Sequence, residues 1–311
     1  MSKQSAERLR KIYKESRLKP PYDKWSLVRR VWVFQNERIP IIAIFIISLA
    51  VVVAIARAND RLDWRLVIIA SLINLFYFLQ IRLADEPKDF EHDNKYYSNR
   101  PVQRGVITLK ELSYFKNASV AACFILAALT GSITIFLLAC IQQTYSFLTR
   151  EEFFMRKWLR KHFLSYQFSH YVQLFILDWF ILSVIKVGSL HEKFIYFAFV
   201  IVLVFMIESS RTIGGTDGAK AKDRYSYRLG INFALIAFII LTITSVAFTL
   251  FLMNQINAEM MWLFILIIGL LVTSWSVIKY RLKPTTKNAE VMNWASIVMY
   301  LCCTLTLLIS K

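Results

Sequence analysis

The chain has 311 residues, 57% hydrophobic and 15% aromatic, and a formal net charge of +17. Apolar runs of about 20 residues exclude a pair of soluble domains, and lipid excludes an open sheet, whose edge would leave backbone groups unpaired. The predicted class is an all-α integral membrane bundle.

Residues 1–39 read as a basic N-terminal segment, too long and too charged before the first apolar run to be a signal peptide. Residues 40–311 read as one membrane domain. Nine spans are expected there: Pro40–Ala58, Trp64–Ala84, Leu112–Thr130, Ser132–Leu148, Phe163–Ile185, Lys193–Ser210, Tyr227–Met253, Met260–Lys279 and Asn288–Ile309. The third and fourth meet around Gly131 as a tight helical hairpin. Lys and Arg crowd the N-terminus and the connections after spans two, four, six and eight. The connections after spans three and seven, GS and NQINAE, have none. By the positive-inside rule the N-terminus and the even-numbered connections are cytoplasmic, and the expected location is the cytoplasmic (inner) membrane. Topology then explains the positive charge, and no nucleic-acid partner is implied.

The segment Glu151–His162 reads as an amphipathic interfacial helix, with Phe153, Phe154, Trp158 and Leu159 between Arg156, Lys157, Arg160 and Lys161. Cys123, Cys140, Cys302 and Cys303 lie in apolar runs without metal-ligand spacing to histidine, and read as small buried hydrophobes. Gln142, Gln143 and Gln173 read as polar helix-packing groups. His92 and His191 read as loop residues.

The stretch LADEPKDFEHD, Leu83–Asp93, departs from this pattern with five carboxylates in nine positions. If span two continues as a helix, Asp85, Glu86, Asp89 and Asp93 share a face of about 100°, and Glu91 points away. Pro87 should kink or reset that helix. Carboxylates four residues apart lie about 5–6 Å from each other. At an effective dielectric of 20, each pair costs about 3 kcal/mol of repulsion. Lys88, Arg82 and Lys95 can offset part of this. A hard divalent cation, Mg²⁺, offsets more, with one or two carboxylates plus water and substrate phosphates completing its shell. The bland alternative is a solvated acidic loop.

The run Asp85-Glu86-x-x-Asp89-x-x-x-Asp93 resembles the first aspartate-rich motif of the UbiA superfamily of intramembrane prenyltransferases, Asn-Asp-x-x-Asp-x-x-x-Asp. Asp85 stands in the Asn place and Glu86 in the first Asp place. NRPVQRGVITLKEL resembles the family's continuation, through Arg100, Pro101 and Arg104. YSFLTR resembles its short aromatic-basic motif after span four, with Tyr145 and Arg150 in place and Thr149 replacing a lysine. The second acidic motif is degraded: Glu208 takes the first acidic place, Thr212 the second, and Asp217 and Asp223 lie further along.

The resemblance implies a nine-helix bundle with a central cavity. Asp85, Glu86, Asp89, Asp93 and Glu208 would hold Mg²⁺ ions on a diphosphate, with Asp217 or Asp223 completing a second site. Arg82, Arg100, Arg104, Arg150 and Arg211 would bind phosphate, with Tyr145 beside them. Phe76 and Tyr77 would line the isoprenoid path, although lipid-facing or core packing also suits them. The implied reaction ionises an allylic isoprenoid diphosphate and transfers the prenyl cation to an aromatic, quinone-precursor or lipid acceptor. The alternatives are a membrane terpene cyclase of the same superfamily and, from another class, a divalent-cation transporter.

Asp178 lies deep in span five, where a charge costs about 2.5–3.5 kcal/mol on insertion scales. His170 lies eight residues earlier on roughly the same face. The pair could orient an acceptor or remove a proton, or Asp178 could make an interhelical hydrogen bond while protonated.

Overall fold

The computed structural model describes residues 3–214 and 230–309. Every regular element among them is helical. In chain order these are α1 (Lys3–Glu15), a 3₁₀ turn at Tyr22–Lys24, α2 (Leu27–Arg38), α3 (Ile41–Ala58), α4 (Trp64–Tyr96) and α5 (Pro101–Arg104). Next come α6 (Leu109–Leu129), α7 (Ile133–Arg150), α8 (Arg156–Lys161), α9 (Phe163–Val184) and α10 (Leu190–Thr212). The last three are α11 (Ile231–Gln255), α12 (Leu263–Leu282) and α13 (Thr286–Ile309).

Among the described residues seven segments are long and apolar enough to cross a bilayer: α3, α4, α6, α10, α11, Met260–Leu282 and α13. The chain is thus a multi-pass membrane protein. The expected fourth and fifth spans are helices too. However, α7 turns polar in its second half at Gln142, Gln143 and Thr144, and the apolar part of α9 is only Phe168–Val184. The hairpin expected at Gly131 is present between α6 and α7, with φ of 72° at that glycine.

The chain forms two compact units. The first holds Met1–Leu49 and Trp64–Val184. Its N-terminal segment is built into the fold. Ile12 of α1, Phe34 of α2 and Ile39 are buried with Leu83 and Phe90 of α4, Val102 of α5, and Ile107, Leu109 and Leu112. Local signals set the ends of these helices. Ser26 caps α2, accepting from the Arg29 amide. Thr108 and Glu111 form a capping box at the start of α6. Arg30 reaches from α2 to the same Glu111, at 2.8 Å. Gly105 closes α5 at φ 77°, and a Cβ there would meet Lys19 Cγ at 2.6 Å and the Arg17 carbonyl at 2.8 Å. Only glycine suits both the left-handed backbone and that close approach.

The second unit holds Ala50–Asp63 and Ile185–Lys311. A capping box of Ser189 and Glu192 starts α10. Gly269 of α12 lets α13 approach closely: a Cβ would lie 2.8 Å from Met299 Sδ and 3.0 Å from Cys302 Cβ. The Ser210 and Ser296 hydroxyls meet at 2.7 Å between α10 and α13.

Three local expectations are corrected. The segment Glu151–His162 is not one amphipathic helix. Glu152, Phe153 and Phe154 take φ of 51°, 52° and 58°, a left-handed turn, and only Arg156–Lys161 is α-helical. Ring contacts help offset the strain of that turn: Phe153 with Tyr145 at 5.5 Å and Phe154 with Phe147 at 6.3 Å. Pro87 does not reset the helix: α4 runs 33 residues through it. His92 is on α4 and His191 in the first turn of α10, so neither is in a loop. The four cysteines are free thiols, three buried and Cys140 partly so.

Candidate functional site

At 1.5 Å per residue, α4 is about 50 Å long, against about 30 Å for a bilayer core. Its apolar part ends near Ala84, so the acidic stretch rides on the turns beyond. Pro87 forfeits the N–H that would bond the Leu83 carbonyl. Tertiary contacts on either side hold the helix together there: Leu83 and Phe90 are in the core of the first unit, and Glu86 is fixed by arginines.

The four carboxylates do share one face of α4, but the fold divides it. Glu86 and Asp93 lie on the inner edge, 2% and 1% exposed. Asp85 is half-buried and Asp89 exposed on the outer edge. Glu91 points away and pairs with Arg8 of α1 at 2.9 Å.

Arginines answer the inner pair. Arg38, the last residue of α2, donates from Nε and Nη2 to Glu86 Oε1 at 3.0 and 2.8 Å. The same Nη2 lies 3.9 Å from Asp93 Oδ2. Arg82 approaches Glu86 at 3.5 Å. Arg100, which precedes α5, donates to Asp93 Oδ2 while its guanidinium stacks 4.0 Å from the Tyr97 ring. The other oxygen, Asp93 Oδ1, is buried without a hydrogen-bond partner among the described residues; His92 Nδ1 stands 3.6 Å from it. Asp85 and Asp89 make no ion pair with any described residue.

The remaining sequence candidates divide as follows. Arg104 is committed to Glu37 at 2.7 Å, and Arg150 to Glu151 at 3.1 Å. The Tyr145 hydroxyl donates to the Ser169 carbonyl at 3.1 Å, which ties α7 to α9. His170 on α9 interacts electrostatically with Lys88, Asp85 and Glu152. Its Nδ1 is 2.8 Å from the Tyr166 carbonyl, which can only accept, so Nε2 carries the lone pair. Phe76 is half-buried and Tyr77 fully buried. Asp178 is half-buried on α9, two turns beyond His170, and no interhelical hydrogen bond forms to it among the described residues.

In the second unit, Glu208 pairs with Arg211 at 2.9 Å. The Thr212 hydroxyl, standing where an acidic residue was expected, turns back to the Glu208 and Ser209 carbonyls at 2.9 Å each. Asp217 and Asp223 lie outside the described residues.

Sequence reasoning missed Arg38. It sits 48 positions before its partner, and no local spacing links it to Glu86. The only available signal was a lone arginine immediately before the first apolar run.

Among the described residues no three His, Cys, Asp or Glu side chains cluster as a ready-made metal site. A two-carboxylate donor set remains, Asp85 with Asp89, beside the unpartnered Asp93 Oδ1. That set suits an ion such as Mg²⁺, which takes few protein carboxylates and completes its shell from water and phosphate.

No family model and no curated protein matches the sequence. Two solved structures are similar in fold. One is described as "Structural and mechanistic insights into the biosynthesis of Digeranylgeranylglyceryl phosphate synthase in membranes". It is 14% identical with a TM-score of 0.56, over 90% of this chain and 99% of that one. The other is the apo structure of a UbiA homolog from Aeropyrum pernix K1, 16% identical with a TM-score of 0.57, over 83% of this chain and 96% of that one. The all-helical, UbiA-like fold implied by the acidic motif is therefore observed, with seven of the nine expected spans long and apolar enough to cross a bilayer among the described residues.

Proposed function

We propose that this protein ionises an allylic isoprenoid diphosphate at the cytoplasmic end of α4 and transfers the prenyl cation to an acceptor within the membrane. The observation that carries this reading is the divided carboxylate face. Among the described residues two carboxylates, Asp85 and Asp89, stay outside ion pairs at the rim, while arginines lock the other two in place. A solvated acidic loop would not bury half its charge at 1–2% exposure.

Asp85 and Asp89 would hold Mg²⁺, which would supply positive charge to offset that developing on the leaving diphosphate. Glu86 and Asp93 keep Arg38 and Arg100 at the rim, where guanidinium groups suit phosphate oxygens. As the allylic carbon–oxygen bond breaks, its electron pair leaves with the diphosphate. The acceptor then forms a bond to the cationic carbon and loses a proton. His170, which interacts electrostatically with Asp85, would take that proton. The rim position also favours this reading over a cation transporter, whose site would lie near the bilayer midplane.

The test is diphosphate release from geranyl, farnesyl and geranylgeranyl diphosphate by the protein purified in detergent with Mg²⁺, followed by mass spectrometry of extracted products. Turnover that begins only when a phenol or quinone precursor is added supports transfer. Cyclic hydrocarbons or alcohols formed without an acceptor would make the protein a cyclase. No release under any condition would overturn the reading, and cation uptake into liposomes would then replace it with transport.

A further inference from the structure

Helix α2 has two faces. The inner one is built into the first unit: Phe34 is buried, Arg30 pairs with Glu111 and Arg38 with Glu86. At 100° per residue, Val28, Arg29, Trp32 and Asn36 fall within about 100° of one another on the opposite side. All four are exposed, Val28 at 80% and Trp32 at 56%. Neither large apolar side chain serves the core.

Cations border this outer face. The Arg29 guanidinium stacks 3.8 Å from the Trp25 ring, and Tyr22 meets the same ring edge-on at 4.9 Å. Arg29 and Lys24 are exposed and make no ion pair among the described residues. Residues 1–39 hold eleven Lys and Arg against four Asp and Glu, so a partner here should be anionic. The face also continues into lipid-facing surface. Only Ile39 and Pro40 separate α2 from the membrane helix α3, whose Ile42 and Ile46 are exposed at 60% and 56%. That short connection keeps the Trp32 end of α2 close to the headgroups. A tryptophan with arginine and lysine beside it suits that layer: the ring sits at the interface and the charged ends reach the headgroups. Two apolar side chains are too few for the buried centre of a stable protein interface.

We propose that the outer face of α2 docks into the headgroup layer of the membrane that α3 crosses and binds anionic phospholipid. Val28 and Trp32 enter the boundary with the acyl chains, and Lys24 and Arg29 meet the negative headgroups. The inner face of the same helix holds Arg38 against Glu86, so bound lipid would brace that clamp. This docking stands whether or not the reaction proposed above does.

The test uses the full-length protein in phosphatidylcholine nanodiscs. Cys140→Ser removes the one thiol that is not fully buried, and Val28→Cys is labelled with bimane. Phosphatidylglycerol or phosphatidylcholine carrying a nitroxide just below the headgroup is then added. The label should emit at short wavelength and be quenched by both lipids. Phosphatidylglycerol should be preferred at least about five-fold, the effect of about one basic residue at a membrane surface. Lys24→Gln with Arg29→Gln should remove that preference, as should raised salt. Arg29→Lys should keep it. Circular dichroism checks that each variant is folded. Water-like emission without quenching by either lipid would overturn the docking and leave the face to a protein partner. Quenching without a preference for phosphatidylglycerol, or a preference that survives the double substitution, would overturn the anionic-lipid site.

Discussion

Arg38 donates two hydrogen bonds to one oxygen of Glu86, at 3.0 and 2.8 Å, so the end of α2 is clamped to the acidic face of α4. Both side chains are largely buried, 11% and 1% exposed. Removing one partner of such a pair leaves the other as an uncompensated buried charge. Arg38→Ala should therefore destabilise the first unit by about 3 kcal/mol, partly relieved by Arg82. Arg38→Met with Glu86→Leu should recover most of the loss. Thermal unfolding of the single and double variants in detergent measures both effects.

Asp89 and Asp93 should behave differently, although the motif treats them alike. Exposed Asp89 makes no ion pair among the described residues, so Asp89→Ala should cut turnover at least about 100-fold and leave the unfolding midpoint where it is. Asp93 is buried against Arg100, so Asp93→Ala should lower both turnover and midpoint. Full activity in Asp89→Ala would remove it from the site.

Chelation should separate metal from scaffold. Because arginines hold the inner carboxylates, adding EDTA should abolish diphosphate release with little change in the unfolding midpoint, and Mg²⁺ should restore release. A large fall in the midpoint on chelation would mean that a metal stabilises the resting fold.

Gly105→Ala tests how the N-terminal segment is seated. The new Cβ would face the Lys19 side chain and the Arg17 carbonyl at 2.6–2.8 Å, from a residue at φ 77°. The expected cost is about 1–3 kcal/mol. Limited proteolysis should cut near Lys19 sooner than in wild type.

Thr108→Ala removes one half of the capping box that starts α6 and should cost about 1 kcal/mol. Because Arg30 still holds Glu111, the loss should stay at that level in a thermal melt.

Much of this molecule is written locally. Apolar runs of span length specify membrane helices because lipid offers no partner to backbone groups, and Gly131 marks its hairpin because few other residues take positive φ cheaply. The four-carboxylate face of α4 follows from helical period alone, and the structure keeps it. What only the tertiary structure decided is which carboxylates are free. Period places Glu86 and Asp93 beside Asp85 and Asp89. Arg38, brought in by an N-terminal segment that packs through Ile12 and Phe34, takes Glu86 and reaches toward Asp93. The left-handed turn at Glu152–Phe154 was hidden for the same reason. Each depends on neighbours distant in sequence, and a pattern of residue types carries no record of which distant side chain fills a given space.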